Sequence, residues 1–237
     1  MTTLSSQCII LVGGLGTRLG SITRDVPKPL LQVGEHPFLY YLIIKGIKSG
    51  FNDFILLAGY KGERVREFAD LIADKLKIRI QVLVEAEPLG TAGALLQAEG
   101  MLNDEFLLMN GDSFFDINLL DLTTYKIAEP WVARLAIYTS QNKSRYGSIV
   151  LKNGVIKSFS EKSSQDNSAL INGGIYWLKK AILDYIDKTP CSMEKEVFPV
   201  LAKEALLYGR IYDAKFIDIG VPEDLEYARS YWNNFIR

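Results

Sequence analysis

The chain has 237 residues, 48% of them hydrophobic, with a net charge of −1, two cysteines and one histidine. That is enough apolar material for one large domain or two small ones, while scattered Lys and Arg leave no electrostatic footprint for nucleic acid or a membrane surface. The single His36 excludes a His-rich metal site, so a metal here needs oxygen ligands; Cys8 and Cys191 lie far apart and predict no disulfide; and without a signal pattern or a long apolar span the expected setting is cytoplasmic.

Cys8 to Val12 is apolar and runs into Gly13-Gly14-Leu15-Gly16-Thr17-Arg18-Leu19, with Lys28-Pro29 just beyond. Apolar residues followed by glycines read as a buried strand delivering an exposed turn. Glycines let backbone N–H groups face outward and form an anion cradle. Arg18 and Lys28 bring two cations to whatever the cradle holds, which points to a nucleoside triphosphate. A Walker A loop is excluded because no Gly-Lys pair follows. A dinucleotide fingerprint is excluded because Leu19 stands where its third glycine belongs.

Further along, Asp53–Ala58, Ile78–Val84 and Phe106–Asn110 read as strands, and Pro37–Ser49, Glu63–Lys75 and Ala92–Glu99 as the helices between them. Strand–helix alternation predicts an α/β sheet that is mostly parallel. The second half differs. Ser148–Leu151 and Val155–Phe159 predict a hairpin turning at Asn153-Gly154. The stretch from Ser158 to Ser168 reads as a surface loop, and Leu170–Leu178 as a strand broken by Gly173-Gly174. Leu207–Tyr212 and Lys215–Ile219 bracket a second turn at Asp213-Ala214, and a last helix runs from Pro222 to about Asn234. No linker or repeat interrupts the chain, so one domain over residues 1–237 is expected, with a first half to about 115 and a second from about 116 that elaborates the same sheet.

In open α/β sheets ligands bind beyond the carboxyl ends of the strands. Four such exits carry glycine: the first loop, Glu85-Ala86-Glu87-Pro88-Leu89-Gly90-Thr91, Asn110-Gly111-Asp112, and Asp218-Ile219-Gly220. Any one alone is commonly a turn; four together are hard to dismiss as turns and predict a site. Asp112 and Asp218 each follow an apolar run, where a carboxylate is costly unless something needs it. Two carboxylates plus triphosphate oxygens would suit Mg²⁺. Glu85 could accept from two adjacent donors of guanine, N1–H and N2–H₂, where uracil and thymine offer one.

The ordered set Gly13-Gly14-Leu15-Gly16-Thr17-Arg18-Leu19, Pro27-Lys28-Pro29, Glu87-Pro88-Leu89-Gly90-Thr91-Ala92, Asn110-Gly111-Asp112, Tyr146-Gly147, Glu161-Lys162, Asn172-Gly173-Gly174 and Phe216-Ile217-Asp218-Ile219-Gly220 resembles the sugar-1-phosphate nucleotidyltransferases over nearly the whole length. Within that family Gly-Asp-Ser-Phe-Phe-Asp, Leu-Ile-Asn-Gly-Gly-Ile-Tyr and Asp-Ile-Gly-Val-Pro-Glu-Asp look most like the D-glycero-α-D-manno-heptose 1-phosphate guanylyltransferases. One departure is Ser163 after Glu161-Lys162, where many relatives have Pro. The resemblance implies a Rossmann-like α/β fold with a mixed, mostly parallel central sheet flanked by helices. It implies nucleotidyl transfer from an NTP, GTP favoured, to a sugar 1-phosphate, giving an NDP-sugar and pyrophosphate. The product would serve capsule, lipopolysaccharide or S-layer glycan synthesis.

By the same resemblance Gly13, Gly14, Gly16, Thr17, Arg18, Glu85, Pro88, Gly90, Thr91 and Gly111 would hold the nucleotide. Lys28 would bridge the α-phosphate and the incoming phosphate, Lys162 would hold the sugar phosphate, and Asp112 and Asp218 would carry Mg²⁺. Tyr146, Gly147, Glu161, Asn172 and Gly174 would line the sugar pocket. A uridylyltransferase on an amino-sugar phosphate and a catalytically silent nucleotide sensor stand as alternatives. Tyr231, Trp232 and Phe235 either form an interface between copies in a homo-oligomer or pack the last helix on the core.

Overall fold

A computed structural model of the chain describes residues 6–14, 16–127, 129–140, 148–160 and 169–235. The chain runs β1 (Gln7–Val12), β2 (Gln32–Val33), β3 (His36–Pro37), α1 (Phe38–Lys48), β4 (Asp53–Ala58), α2 (Gly62–Leu76) and β5 (Arg79–Val84). It continues through α3 (Gly90–Gln97), β6 (Glu105–Asn110), β7 (Ser113–Phe115), α4 (Leu119–Thr124), β8 (Ala133–Thr139), β9 (Ser148–Lys152) and β10 (Val155–Ser160). Last come β11 (Leu170–Lys179), α5 (Phe198–Lys203), β12 (Leu207–Tyr212), β13 (Phe216–Asp218) and α6 (Pro222–Phe235).

Nine strands form one mixed sheet in the order β5-β4-β1-β6-β11-β8-β12-β10-β9, the α/β architecture expected from strand–helix alternation. The chain divides into two compact units: Met1–Pro88 with Met109–Phe114 and Phe216–Arg237, and Leu89–Leu108 with Phe115–Lys215.

In the first unit β5, β4 and β1 are parallel and in register, Gln7 opposite Asp53 and Asp53 opposite Arg79. β1 is buried at every residue but Leu11, as a strand covered on both faces must be. α2 buries Val65, Ala69 and Ile72, one stripe at helical spacing. α6 returns to α1: Trp232 packs its ring on Phe38, Tyr41 and Phe114 at centroid distances of 5.7, 4.8 and 5.2 Å. Trp232 is therefore core, as the second of the two readings had it; the side chain of Phe235 lies outside the described residues.

In the second unit β8 pairs antiparallel with β11 and parallel with β12, while β10 pairs antiparallel with β9. The β9–β10 turn has both Asn153 (φ 51°) and Gly154 (φ 78°) in the left-handed region, as a two-residue hairpin requires. β12 and β13 bracket the turn at Asp213-Ala214 as expected but do not pair with each other. β12 joins β8 in the main sheet, and β13 pairs with β7 in a separate two-stranded sheet. All six residues of β12 pair with β8, a length that three-residue β13 could not match. β8 and α4 had no counterpart among the predicted elements. Both cysteines are free and buried, and burial pushes both thiols up. Among the described residues no helix is long and apolar enough to cross a membrane.

Candidate active site

Four strand ends of the first unit converge on one edge. β1 leads into Gly13, whose added Cβ would stand 3.2 Å from Glu85 Oε1 and 3.2 Å from Gly59 N. Gly59 follows β4 and Glu85 follows β5, so the half-buried Glu85 side chain lies against the glycine loop. Gly14 is exposed, with nothing within 4 Å of where a Cβ would be. Gly16 turns at φ 64°, and its carbonyl oxygen accepts from Leu19 N at 2.9 Å and Thr23 Oγ1 at 3.2 Å. The loop then winds into a 3₁₀ turn, Thr17–Thr23, that leaves Thr17 and Arg18 exposed. Leu15 lies outside the described residues.

Lys28 opens a short 3₁₀ turn after Pro27 and is only 5% exposed. Its Nζ donates to Asp112 Oδ2 at 2.6 Å. A buried ammonium is costly unless paired, and here the half-exposed carboxylate pairs it. Asp112 follows Gly111, whose N–H donates to the Leu11 carbonyl at 2.8 Å; a Cβ on Gly111 would collide with that same oxygen. Gly111 is thus needed for the close approach of β6's end to β1.

Asp112 O accepts from Ile219 N at 3.0 Å, which sets the end of β13 beside Asp112. Asp218 Oδ1 accepts from Gly220 N at 2.7 Å. The point where a Gly220 Cβ would stand is 2.8 Å from Asp218 Oδ1 and 3.2 Å from Arg18 Nη2, so guanidinium and carboxylate converge there. The unit therefore gathers Gly13, Gly14, Gly16, Arg18, Lys28, Glu85, Gly111, Asp112 and Asp218. Pro88 closes the first of its segments.

Gly90, Thr91, Asn172 and Gly174 belong to the second unit. Asn172 Nδ2 donates to Tyr176 Oη at 2.7 Å, and its Oδ1 accepts from Gly174 N at 3.0 Å. The register of β11 against β8 shifts between Asn172 and Tyr176, a bulge that Gly174 enters at φ 70°. Buried Tyr176 thus orients Asn172, a role its apolar neighbours in sequence concealed. Tyr146, Gly147, Glu161 and Lys162 lie outside the described residues. Among the described residues no three His, Cys, Asp or Glu side chains cluster to hold a metal unaided.

The family described as Nucleotidyl transferase matches residues 7–233. A D-glycero-alpha-D-manno-heptose 1-phosphate guanylyltransferase of Campylobacter jejuni is 40% identical over 92% of this chain and 96% of its own length. The mannose-1-phosphate guanylyltransferase catalytic subunit beta of Drosophila pseudoobscura is 33% identical over 92% of this chain, which spans 60% of that subunit. The crystal structure of HddC from Yersinia pseudotuberculosis gives a TM-score of 0.83 at 28% identity, over 95% of this chain and 99% of that one. HddC complexed with GMP-PN gives a TM-score of 0.81 over the same shares. On the family match and the full-length similarity to the Campylobacter protein, this chain belongs to the nucleotidyl transferase family.

Proposed function

We propose that the chain is a guanylyltransferase acting on D-glycero-α-D-manno-heptose 1-phosphate, a cytoplasmic enzyme whose NDP-sugar product is consumed by glycosyl transfer. The observation that carries the reaction type is the convergence of Arg18, Lys28, Asp112 and Asp218 on the glycine-loop edge of the first unit. The sugar assignment draws on the relative that is 40% identical over nearly its whole length. The base assignment draws on Glu85 lying against Gly13.

In this reading an oxygen of the sugar phosphate attacks the α-phosphorus of GTP in line. A phosphorus–oxygen bond to the sugar phosphate forms, the bond to the β-phosphate bridge breaks, and pyrophosphate leaves. No covalent enzyme intermediate is needed, so the protein's work is alignment and charge stabilisation. The glycine loop, Gly13 to Thr17, cradles phosphate oxygens. Arg18 grips the departing pyrophosphate. Lys28, held in place by Asp112, bridges oxygens of the α-phosphate and of the incoming sugar phosphate. Lys162, with Glu161, Tyr146, Gly147, Asn172 and Gly174, receives the sugar phosphate.

The donor set fits Mg²⁺: two hard carboxylates, Asp112 and Asp218, sit at neighbouring strand ends joined by the Ile219 N to Asp112 O bond. Two carboxylates completed by substrate phosphates are this ion's usual company. When bound it would neutralise charge on the phosphates. Asp112 and Asp218 would hold it, and Lys28 keeps the Asp112 carboxylate oriented.

Pyrophosphate release, measured for GTP, UTP, CTP, dTTP and ATP against heptose, mannose, glucose and N-acetyl-amino-sugar 1-phosphates, tests the proposal. GTP with the heptose phosphate should give the highest kcat/KM, with mannose 1-phosphate much lower. A site that hydrogen-bonds the extra hydroxyl rejects the sugar lacking it. Preference for mannose 1-phosphate would replace the sugar, and preference for UTP with an amino-sugar phosphate would replace both substrates.

A further inference from the structure

The Leu89–Gly93 segment is clasped by residues that no glycine or carboxylate pattern singled out. Cys191 N donates to Leu89 O at 2.8 Å, and Cys191 O accepts from Ala92 N at 3.0 Å and Gly93 N at 3.2 Å. Two of the amino-terminal N–H groups of α3, which have no partner inside the helix, are thereby satisfied. Gly90 sits at φ 78°, where an added Cβ would collide with the Cys191 carbonyl oxygen.

Thr91 is held by its side chain as well. Its hydroxyl donates to Glu194 Oε2 at 2.8 Å, across 103 positions of sequence, and accepts from Met193 N at 2.8 Å. Ser192 Oγ donates to the same Glu194 oxygen at 3.1 Å. Glu194 stands in a single π turn, Met193–Val197, entered through Ser192, whose Oγ accepts from Lys195 N. Such turns are rare and are often found at functional sites. A hydroxyl has one proton, and that of Thr91 is committed to Glu194. The turn before α3 therefore meets a ligand through its backbone, whose course the clasp fixes.

We propose that Glu194 is a positioning residue for nucleotide binding, acting through Thr91 to set the Leu89-Gly90-Thr91 turn. The inference rests on the reading of that turn as part of the nucleotide site. Glu194 touches no reacting atom in it. The carboxylate holds Thr91, Thr91 holds the first turn of α3, and that turn keeps its shape before substrate arrives.

The test is steady-state kinetics on the full chain for wild type, Glu194→Ala, Glu194→Gln, Thr91→Val and the Glu194→Ala/Thr91→Val double variant, with Tm recorded for each. The nucleotide is whichever NTP the wild type turns over fastest. A preference other than GTP then sinks the guanylyl reading while leaving this test intact. If no NTP is turned over, calorimetric Kd values for GTP replace KM.

Glu194→Ala should raise the nucleotide KM about tenfold, roughly 1.4 kcal/mol, with the sugar-phosphate KM and kcat nearly unmoved. Glu194→Gln, which keeps an acceptor for Thr91, should recover most of that loss. The double variant should lose less than the two single losses combined, since both remove the Thr91–Glu194 contact. An unchanged nucleotide KM in Glu194→Ala overturns the proposal. So does a parallel rise of both KM values in step with a falling Tm, which would make the clasp merely structural. Should Glu194→Ala fail to fold, Thr91→Val reads the same contact from the other side by the same criteria.

Discussion

Lys28 Nζ lies 2.6 Å from Asp112 Oδ2, and of the pair only the carboxylate is open to solvent, with side-chain exposures of 7% and 41%. The asymmetry leaves the carboxylate as the partner that a metal ion could reach, with the buried ammonium holding it in orientation.

Asp112→Asn should therefore separate activity from stability. The amide keeps an oxygen for Lys28 but removes the charge that would share a metal with Asp218. A loss in kcat of about two orders of magnitude is expected, against a stability cost of about 1 kcal/mol, because partial exposure softens the loss of the pair. Asp218→Asn should show the same separation. Stopped-assay kcat and a thermal melt check it; near-normal turnover by a folded Asp112→Asn would remove Asp112 from the site.

Arg18 and Gly220 form a second testable pair. Arg18→Lys should lower kcat/KM for the nucleotide, because a point charge cannot copy a planar fork on phosphate. Gly220→Ala should reproduce part of that loss without touching the guanidinium itself. Its Cβ would arrive 2.8 Å from Asp218 Oδ1 and 3.2 Å from Arg18 Nη2, so at least one must shift. Kinetics of both variants on the nucleotide read this directly, and a silent Gly220→Ala would mean that Arg18 moves freely around it.

The clasp near α3 predicts a pH dependence. Glu196 Oε2 accepts from Ser192 N at 2.8 Å, and its Oε1 lies 3.2 Å from Lys188 Nζ. The Ser192 N–H, then Lys188, hold this carboxyl below the usual glutamate range. A carboxyl depressed in the folded state stabilises it above the unfolded pKa, near 4.3, and that stabilisation fades as pH falls through the lower folded value. Glu196→Gln should thus melt below wild type at pH 7, and the gap should close below about pH 4. A gap that stays constant from neutral to acid pH would mean that the carboxylate charge contributes nothing.

What was legible in the sequence is what is local. β1, β4 and β6 are built on uninterrupted apolar runs, β5 carries Ile80, Val82, Leu83 and Val84 around Gln81, and Asn153-Gly154 dictates its own turn. β8 escaped notice because Arg134 stands inside it. Yet Arg134 is only 9% exposed, and its guanidinium stacks 4.0 Å from the Trp131 ring and donates to the carbonyls of Thr123 and Tyr125, capping α4. A charge buried against Trp131, Thr123 and Tyr125 does not look like a strand residue in one dimension. The partnership of β13 with β7 and the bond from Thr91 to Glu194 were invisible for a related reason: each joins segments about a hundred residues apart. Lys28 and Asp112 could be named as candidates from their motifs, but only the fold brings them into contact across 84 positions.

Glu85 offers the sharpest test of base choice. Its Oε1 is 3.2 Å from the point where a Gly13 Cβ would stand, so the carboxylate lies against the loop assigned to the triphosphate. Its backbone N–H donates to Ala58 O at 2.7 Å, which ties the residue to the end of β4 and fixes where the side chain starts. A carboxylate placed there can accept from N1–H and N2–H₂ of guanine together. Uracil presents one N–H and a carbonyl, so one carboxylate oxygen would face an acceptor. That mismatch costs roughly 1–3 kcal/mol, or about 5- to 150-fold in selectivity. Glu85→Gln turns one acceptor into a donor and should erode the ratio of kcat/KM for GTP over UTP by that order, largely by weakening GTP. Gly13→Ala should disturb the same ratio more weakly, by pressing on Oε1 without changing its charge. The ratio, measured with one sugar phosphate at fixed Mg²⁺, decides the matter; if Glu85→Gln leaves it unchanged, backbone groups of the glycine loop read the base instead.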